Sequence, residues 1–105
     1  MVAVMERLIQ KIKPDKWDAL EELNKKFEEV EARYDYPQKR RYRAGFSRLD
    51  TNVLVVEREW PSMRQFEESF VSASVDPDEI ALSVELRDIV ENHWEEVYMI
   101  WPPKM

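Results

Sequence analysis

Three segments of the chain are apolar on both alternating sets of positions, and this pattern limits the fold more than any other feature. In residues 2–12, one set holds Val4 and Leu8 and the other holds Met5 and Ile9. Successive side chains of a strand point to opposite faces, so this segment predicts a strand that is covered on both faces. The same pattern occurs in two further segments, residues 53–60 and 97–101.

Two helical regions are predicted between these strands. The first begins near Asp15, which could cap it. Its apolar side chains recur every three or four residues, as a buried helix face requires: Trp17, Leu20, Leu23, Phe27, Val30 and Tyr34. The second begins at Ser62, because Gln65 three positions later completes a capping box. Asp76 and Pro77 restart it, and the apolar positions that follow extend it to Val90.

The middle of the chain predicts a hairpin. Residues 40–48 alternate between apolar and polar side chains, residues 53–60 form the next strand, and Asp50 to Asn52 give a turn signal. A three-residue turn would place Tyr42 opposite Trp60 and Phe46 opposite Val56, on the face towards the helices. Ala44 would then lie opposite Arg58.

The other face of this hairpin carries charged residues. Glu57 and Glu59 point the same way on one strand, and the same register places Arg43 across from Glu59. Two close carboxylates could serve acid–base chemistry or hold a hard cation. A cross-strand ion pair is the favoured interpretation, because charged strand ends are usually solvated.

The predicted order is strand, helix, two strands, helix, strand, in one domain spanning residues 1–105. This order is typical of an α+β ferredoxin-like sandwich, in which a four-stranded antiparallel sheet carries its helices on one face. The second face would then be left as an exposed apolar patch, so we expect two copies to pack sheet to sheet as a homodimer. Arg40, Arg41 and Arg43 would protect the edge formed by the second strand.

The composition excludes several classes of function. The net charge of −6 disfavours nucleic acids and anionic membranes as partners, and no segment is long and apolar enough to span a bilayer. The chain has no Cys, which excludes disulfides, thiol nucleophiles and Cys-based metal sites. The single histidine, His93, is predicted at the end of the second helix. We therefore expect neither a metal site nor a cofactor.

The N-terminal segment does not read as a signal peptide, because Glu6 and Arg7 interrupt its apolar run. We therefore expect a cytoplasmic protein. Charged residues make up 36% of the chain, which together with the lack of Cys is typical of thermophile proteins.

The segment from Val53 to Phe66, VLVVEREWPSMRQF, resembles the dimeric α+β barrels. That superfamily includes antibiotic-biosynthesis monooxygenase-like proteins and haem-degrading monooxygenases, and the resemblance implies a pocket between sheet and helices. The haem-degrading members use an Asn, a Trp and a His. Here Trp60 matches the Trp, Glu6 stands at the Asn position, and Phe70 is near the His position. The full haem-degrading set is therefore missing.

Six residues are the candidates for ligand binding: Trp60, Tyr42, Phe46, Arg58, Glu6 and Tyr34. An aromatic patch could stack a planar ligand, although ordinary core packing of these side chains is the favoured interpretation. Three functions remain open. The chain could bind a small, partly aromatic molecule, act as a cofactor-independent monooxygenase with Arg58, Tyr42 or Glu6 beside the substrate, or serve as a non-catalytic dimerisation module.

Overall fold

The computed structural model describes residues 2–103. Its elements follow the order β1 (Val4–Ile12), α1 (Trp17–Arg33), β2 (Arg40–Arg43), β3 (Val53–Trp60), α2 (Met63–Ser74), α3 (Pro77–Leu86) and β4 (Val90–Met99). All strand pairs are antiparallel, and the strands lie in the order β2-β3-β1-β4. The prediction of a ferredoxin-like α+β fold is confirmed. No helix among residues 2–103 combines the length and hydropathy needed to cross a membrane.

The main core lies between the sheet and the helices. Leu20, Leu23 and Val30 project from α1, Leu82 projects from α3, and together they pack on Ile12, Leu54, Val56 and Ile89. Leu8 and Val56 are cross-strand partners in the central pair of strands, so the apolar positions of β1 and β3 form one continuous surface under the helices. This face of the sheet is the one that carries Glu6, Arg58 and Trp60.

The first helix begins later than its sequence suggests. Lys16 occupies the N-cap position without a side-chain hydrogen bond, so the prediction that Asp15 caps this helix is wrong. The helix ends at Arg33. Asp35 then adopts a left-handed conformation with a φ of 58°, and the amide of Tyr36 donates to the carbonyl of Glu31. Aspartate tolerates this conformation better than most residues, and Pro37 then prevents further helix.

Both predicted N-cap residues of the second helical region are confirmed, but the Gln65 side chain donates to Ser69 at 3.2 Å instead of completing the predicted capping box. The Ser62 hydroxyl accepts a hydrogen bond from the amide of Gln65 at 3.1 Å. The Asp76 carboxylate accepts from the amide of Asp78 at 2.8 Å, and Pro77 is the first residue of α3. The helix predicted from Ser62 is therefore two helices, α2 and α3.

We expect Ser62→Ala to lower the free energy of unfolding by about 1 kcal/mol, because the amide of Gln65 loses its acceptor. Ser72→Ala is the matched control, since Ser72 is an exposed residue inside α2. It should leave the free energy unchanged to within about 0.5 kcal/mol. Urea denaturation followed by circular dichroism measures both values, and an equal effect of the two substitutions would contradict the cap.

The last strand is much longer than predicted. The sequence indicates a helix up to Val90 and a strand over 97–101, whereas α3 ends at Leu86 and β4 covers Val90–Met99. Half of the β4 residues are polar, and all of these lie between Glu91 and Glu96, so this part of its sequence does not look like a strand. It forms because β1 has a second edge whose amides and carbonyls need partners, and β4 pairs along that edge from Ile12 to Val4. His93 is therefore a strand residue opposite Gln10, and its placement at a helix end is wrong.

The predicted hairpin register is also wrong. Strand β2 ends at Arg43, and residues 44–52 form a loop that the amide of Ala44 closes by donating to the carbonyl of Val53. Tyr42 is opposite Val55 instead of Trp60, and Arg43 is opposite Leu54 instead of Glu59. The shift is an odd number of residues, which moves every side chain of β2 to the other face.

The loop 44–52 is held in place by polar contacts that the sequence pattern does not reveal. The Arg43 side chain donates to the carbonyl of Thr51 at 2.7 Å, and its guanidinium lies 4.2 Å from the centre of the Trp17 ring. Within the loop, Leu49 and Ala44 pack on Ile9, Val53 and Val55. These three residues are on the sheet face away from the helices, so the chain itself covers part of its second apolar face.

Candidate functional site

A cavity of about 170 Å³ lies between the sheet and the helices. Its apolar lining comes from both layers: Leu8, Leu54 and Val56 from the strands, and Leu20, Phe27, Phe70 and Leu86 from the helices. Its polar lining is made of Glu6, Gln10, Asn24, Glu31, Tyr36, Lys39, Arg41, Arg58, Glu79, Ser83 and Glu95. The cavity therefore combines an apolar floor with an unusually charged wall.

Four charged side chains form a connected network in this wall. Arg58 contacts Glu31 at 2.7 Å between Nη2 and Oε2, and it contacts Glu6 at 3.5 Å between Nη1 and Oε1. Lys39 donates to the other oxygen of Glu31 at 3.2 Å. The side chains of Glu6 and Arg58 are each only 6% exposed. Buried charges need partners to offset lost hydration, and here two carboxylates balance two cations.

Trp60 lies behind this network and has no exposed surface. Its indole Nε1 donates to Glu6 Oε1 at 3.0 Å, and the rings of Tyr36 and Phe66 meet it edge to face at 5.1 and 5.5 Å. Trp60 does not line the cavity. It is a core residue. Its only polar hydrogen is donated to the Glu6 carboxylate, and this hydrogen bond orients that carboxylate.

Tyr36 connects the aromatic cluster to the ionic one. The Arg58 guanidinium lies 5.0 Å from the centre of the Tyr36 ring, within range of a cation–π contact. Burial raises the pKa of Tyr36 to about 12, and the nearby Arg58 opposes that shift. The phenol is therefore protonated at neutral pH and can donate a hydrogen bond.

Burial shifts the pKa of three more side chains in the wall of the cavity. Burial raises the pKa of the Glu79 carboxyl, and the neighbouring carboxylates of Glu31 and Asp76 raise it further. Burial also raises the pKa of Glu95, which reaches the cavity from β4 with its outer side exposed. Burial lowers the pKa of Lys39, and its partner Glu31 opposes this effect.

A groove of about 370 Å³ between α2 and α3 adjoins the cavity. The two share four lining residues: Tyr36, Phe70, Glu79 and Ser83. Beyond them the groove is lined mainly by apolar side chains, of which Ile80 and Val84 are each 53% exposed. The cavity therefore opens towards an apolar groove on the helical side.

The structure brings two of the six predicted site residues to the cavity, Glu6 and Arg58. Trp60 lies directly behind them. The prediction that Tyr42 and Phe46 share the face of Trp60 is wrong, because the register places Tyr42 on the outer face and Phe46 lies exposed in the loop 44–52.

The remaining predicted residues have other contacts. The Tyr34 hydroxyl donates to Asp76, which holds the pKa of that carboxyl below its usual range, and Tyr34 does not line the cavity. The predicted ion pair between Arg43 and Glu59 is wrong, because Arg43 contacts Trp17 and the loop. Glu57 instead lies 3.9 Å from Arg7.

Several residues that line the cavity are not among the predicted site residues. Glu31 is four residues after Phe27, on the apolar side of α1, and Glu79 is three residues before Leu82, on the buried side of α3. A carboxylate at a helical spacing from core residues was the available signal. Glu95 and Lys39 give no such signal. Glu95 lies in the part of β4 that the sequence does not predict as a strand, and Lys39 lies just before β2, outside any periodic element. Within residues 2–103, no group of three or more metal-ligating side chains could hold a metal ion.

No protein-family model matches the sequence, and no curated protein matches it significantly. Solved structures do match its fold. A NIPSNAP family protein of unknown function from Agrobacterium tumefaciens superposes with a TM-score of 0.80 and 14% identity, over 99% of this chain and 95% of that one.

Two further structures extend the comparison. A conserved protein from Methanosarcina mazei gives a TM-score of 0.70 at 14% identity, over 93% of this chain and 92% of that one. A putative antibiotic biosynthesis monooxygenase from Nitrosomonas europaea gives 0.64 at 15% identity, over 97% and 94%. The chain thus has the ferredoxin-like α+β fold that these proteins share, as the resemblance of the Val53 to Phe66 segment implies.

Proposed function

We propose that this protein binds a small, partly aromatic molecule in the cavity between its sheet and its helices. The observation that carries this proposal is the cavity itself, which combines an apolar floor with polar groups that could orient a ligand. Its 170 Å³ is close to the roughly 150 Å³ of an apolar cavity that holds benzene. One aromatic ring is therefore the natural size of the buried part.

The groove between α2 and α3 provides room for a larger ligand. Ligand sites usually measure about 300–1,000 Å³, and the 370 Å³ of the groove brings the combined space into that range. Phe70 and Ser83 line both spaces, so a molecule that has its ring in the cavity could extend past them. We propose Glu6 and Arg58 as the polar residues nearest the buried end of the ligand, with Trp60 as their support.

We also propose that the protein is a homodimer formed through the sheet face away from the helices. That face carries the partly exposed rings of Tyr42, Trp94 and Tyr98. Arg7 lies on the same face between Glu57 and Glu96, at 3.9 and 3.6 Å. A self-complementary face of aromatic and paired charged side chains suits an isologous contact.

The test combines assembly with ligand binding. Native mass spectrometry should give a species of twice 12.7 kDa, and amide NMR should show that neutral single-ring aromatic fragments shift the signals of Val56 and Ser83. Ser83→Phe fills the junction of cavity and groove, so it should abolish these shifts and leave the dimer intact. Ser72→Phe is the control, since Ser72 is exposed and lines neither space.

Two outcomes would contradict these proposals. A monomer would exclude the dimer. A dimer that binds no fragment in the wild-type protein would exclude the ligand site and would favour the non-catalytic dimerisation module.

A cofactor-independent monooxygenase is the second candidate. One observation favours it: the carboxyl groups of Glu79 and Glu95 lie in the wall of the cavity, where burial raises their pKa, and a carboxylate beside the substrate is a candidate general base. One of the similar structures is described as a putative antibiotic biosynthesis monooxygenase. Oxygen uptake that depends on both a bound phenol and Glu79 would support this function, and its absence would leave binding alone.

A further inference from the structure

We propose that the cavity selects organic cations, and that a protonated amine attached to a small apolar or aromatic body is its ligand class. This inference rests on the proposed function and specifies its ligand. Three observations support it. The cations that line the cavity already contact carboxylates, aromatic rings lie beside Glu79, and the cavity has about the size of one aromatic ring.

The two buried cations of the wall are already neutralised. Arg58 contacts Glu31 and Glu6, and Lys39 contacts Glu31, so these four side chains sum to zero charge. An anionic ligand would have to take Arg58 or Lys39 away from carboxylates at 2.7–3.5 Å. It would also leave those carboxylates without their cations, which is strongly unfavourable for the buried Glu6.

The third cation of the wall is also neutralised, from outside the cavity. Arg41 lines the cavity, but its guanidinium forms a two-pronged contact with Glu21 on α1. Such a paired fork is the strongest common arrangement between arginine and a carboxylate. Each cation of the cavity wall therefore already contacts a carboxylate, and within residues 2–103 the one buried donor of these three side chains without a hydrogen-bond partner is Arg58 Nε.

Glu79 and Glu95 remain. Across residues 2–103, neither side chain has a hydrogen bond or an ion pair with the protein. The four carboxylates of the wall, Glu6, Glu31, Glu79 and Glu95, therefore share two cations: Arg58 also acts on Glu79 and Glu95 at longer range, and Lys39 acts on Glu79. Burial raises the pKa of both groups, which means that the folded protein holds these carboxylates where their ionised forms are disfavoured. A bound cation would reverse that effect, because it would supply the missing partner.

The surroundings of Glu79 suit an organic cation better than a metal ion. Glu79 lines the junction of cavity and groove together with the rings of Tyr36 and Phe70. Aromatic rings next to a carboxylate attract ammonium groups, whereas a hard metal ion needs several oxygen ligands. The apolar floor beyond, formed by Phe27 and Leu86 among others, would receive the body of the ligand.

Three single-ring molecules of matched size test the charge preference: benzylamine, benzyl alcohol and phenylacetate. Amide NMR titrations at pH 7 with the full chain give a dissociation constant for each. We expect benzylamine to bind about tenfold more tightly than benzyl alcohol, and phenylacetate to bind most weakly. In the double variant Glu79→Gln and Glu95→Gln, benzylamine should lose this advantage, while benzyl alcohol should change by less than about twofold.

Glu85→Gln is the control, because Glu85 is an exposed residue of α3 that does not line the cavity. It should leave all three constants unchanged. If benzyl alcohol or phenylacetate binds as tightly as benzylamine, the cation inference is overturned and the proposed ligand site stands. If none of the three binds, the proposed site fails and the inference fails with it. Both glutamines preserve side-chain shape, and the amide spectrum of each variant confirms that it is folded.

Discussion

Replacing Arg58 by methionine is expected to lower the free energy of unfolding by about 3 kcal/mol, at the lower end of the range for breaking a buried ion pair. The substitution keeps most of the side-chain volume but removes the charge between Glu6 and Glu31. Trp60 still donates to Glu6 and Lys39 still contacts Glu31, which places the loss at the lower end. Urea denaturation at matched protein concentrations measures it, because the stability of the proposed dimer would depend on concentration.

Arg64→Met is the control for this substitution. Arg64 pairs with Glu68 on α2 at 2.9 Å, but its side chain is 85% exposed, so its loss should cost less than about 0.5 kcal/mol. Adding Glu6→Gln to Arg58→Met should recover part of the stability, since the amide oxygen still accepts from Trp60 and carries no charge. A loss of less than about 1 kcal/mol for Arg58→Met would show that water reaches Glu6 and Glu31.

Trp60→Ala is expected to lower the free energy of unfolding by about 3–5 kcal/mol, the usual effect of truncating a buried Trp. The indole has no exposed surface, its ring contacts Tyr36 and Phe66, and its Nε1 is a donor to Glu6. Trp60→Phe should cost less, because a ring remains against both neighbours and only the hydrogen bond and part of the packing are lost. Urea denaturation again measures the difference.

Trp101→Ala provides the matched control, because Trp101 is 84% exposed and should change stability by less than about 0.5 kcal/mol. The same experiment separates the two interpretations of Trp60. A large loss of stability, with fragment binding in the Trp60→Phe variant preserved, identifies it as core. Loss of binding with little loss of stability would instead make Trp60 a ligand contact.

Local signals explain which parts of the fold were predictable from the sequence. The strand ending at Trp60 is bounded by Pro61, and the Ser62 and Asp76 caps act on amides two or three residues away. Such features depend on neighbours in the chain, so the order of elements and the fold class follow from them. The boundaries of β2 and β4 do not, because they depend on contacts between distant segments.

The loop 44–52 shows why the hairpin register could not be predicted. Its position depends on Arg43 stacking on Trp17, which belongs to α1. No turn motif encodes that contact. The error then changed the predicted site, because a shift by an odd number of residues moved Tyr42 to the wrong face.

The candidate site was predictable only where a strand already fixed the direction of the side chains. Glu6 and Arg58 lie on β1 and β3, the two strands whose pattern was clearest, and they are cross-strand partners. Glu31 and Glu79 were hidden because charged residues on helices are usually solvated, and only the packed helices show that these two are not. Lys39 lies between elements, where no periodicity applies.

The charged side chains of β4 lie along an open border of the sheet. The ten residues of β4 form the longest strand in the described part of the chain and leave one row of backbone groups open along the border of the sheet. Glu91, Glu95 and Glu96 are spaced along this strand. Glu91 pairs with Lys11 and Glu96 pairs with Arg7, both on β1, at 3.9 and 3.6 Å. Charged side chains held along an open edge strand oppose its pairing with another chain, so growth of the sheet from one molecule to the next is disfavoured.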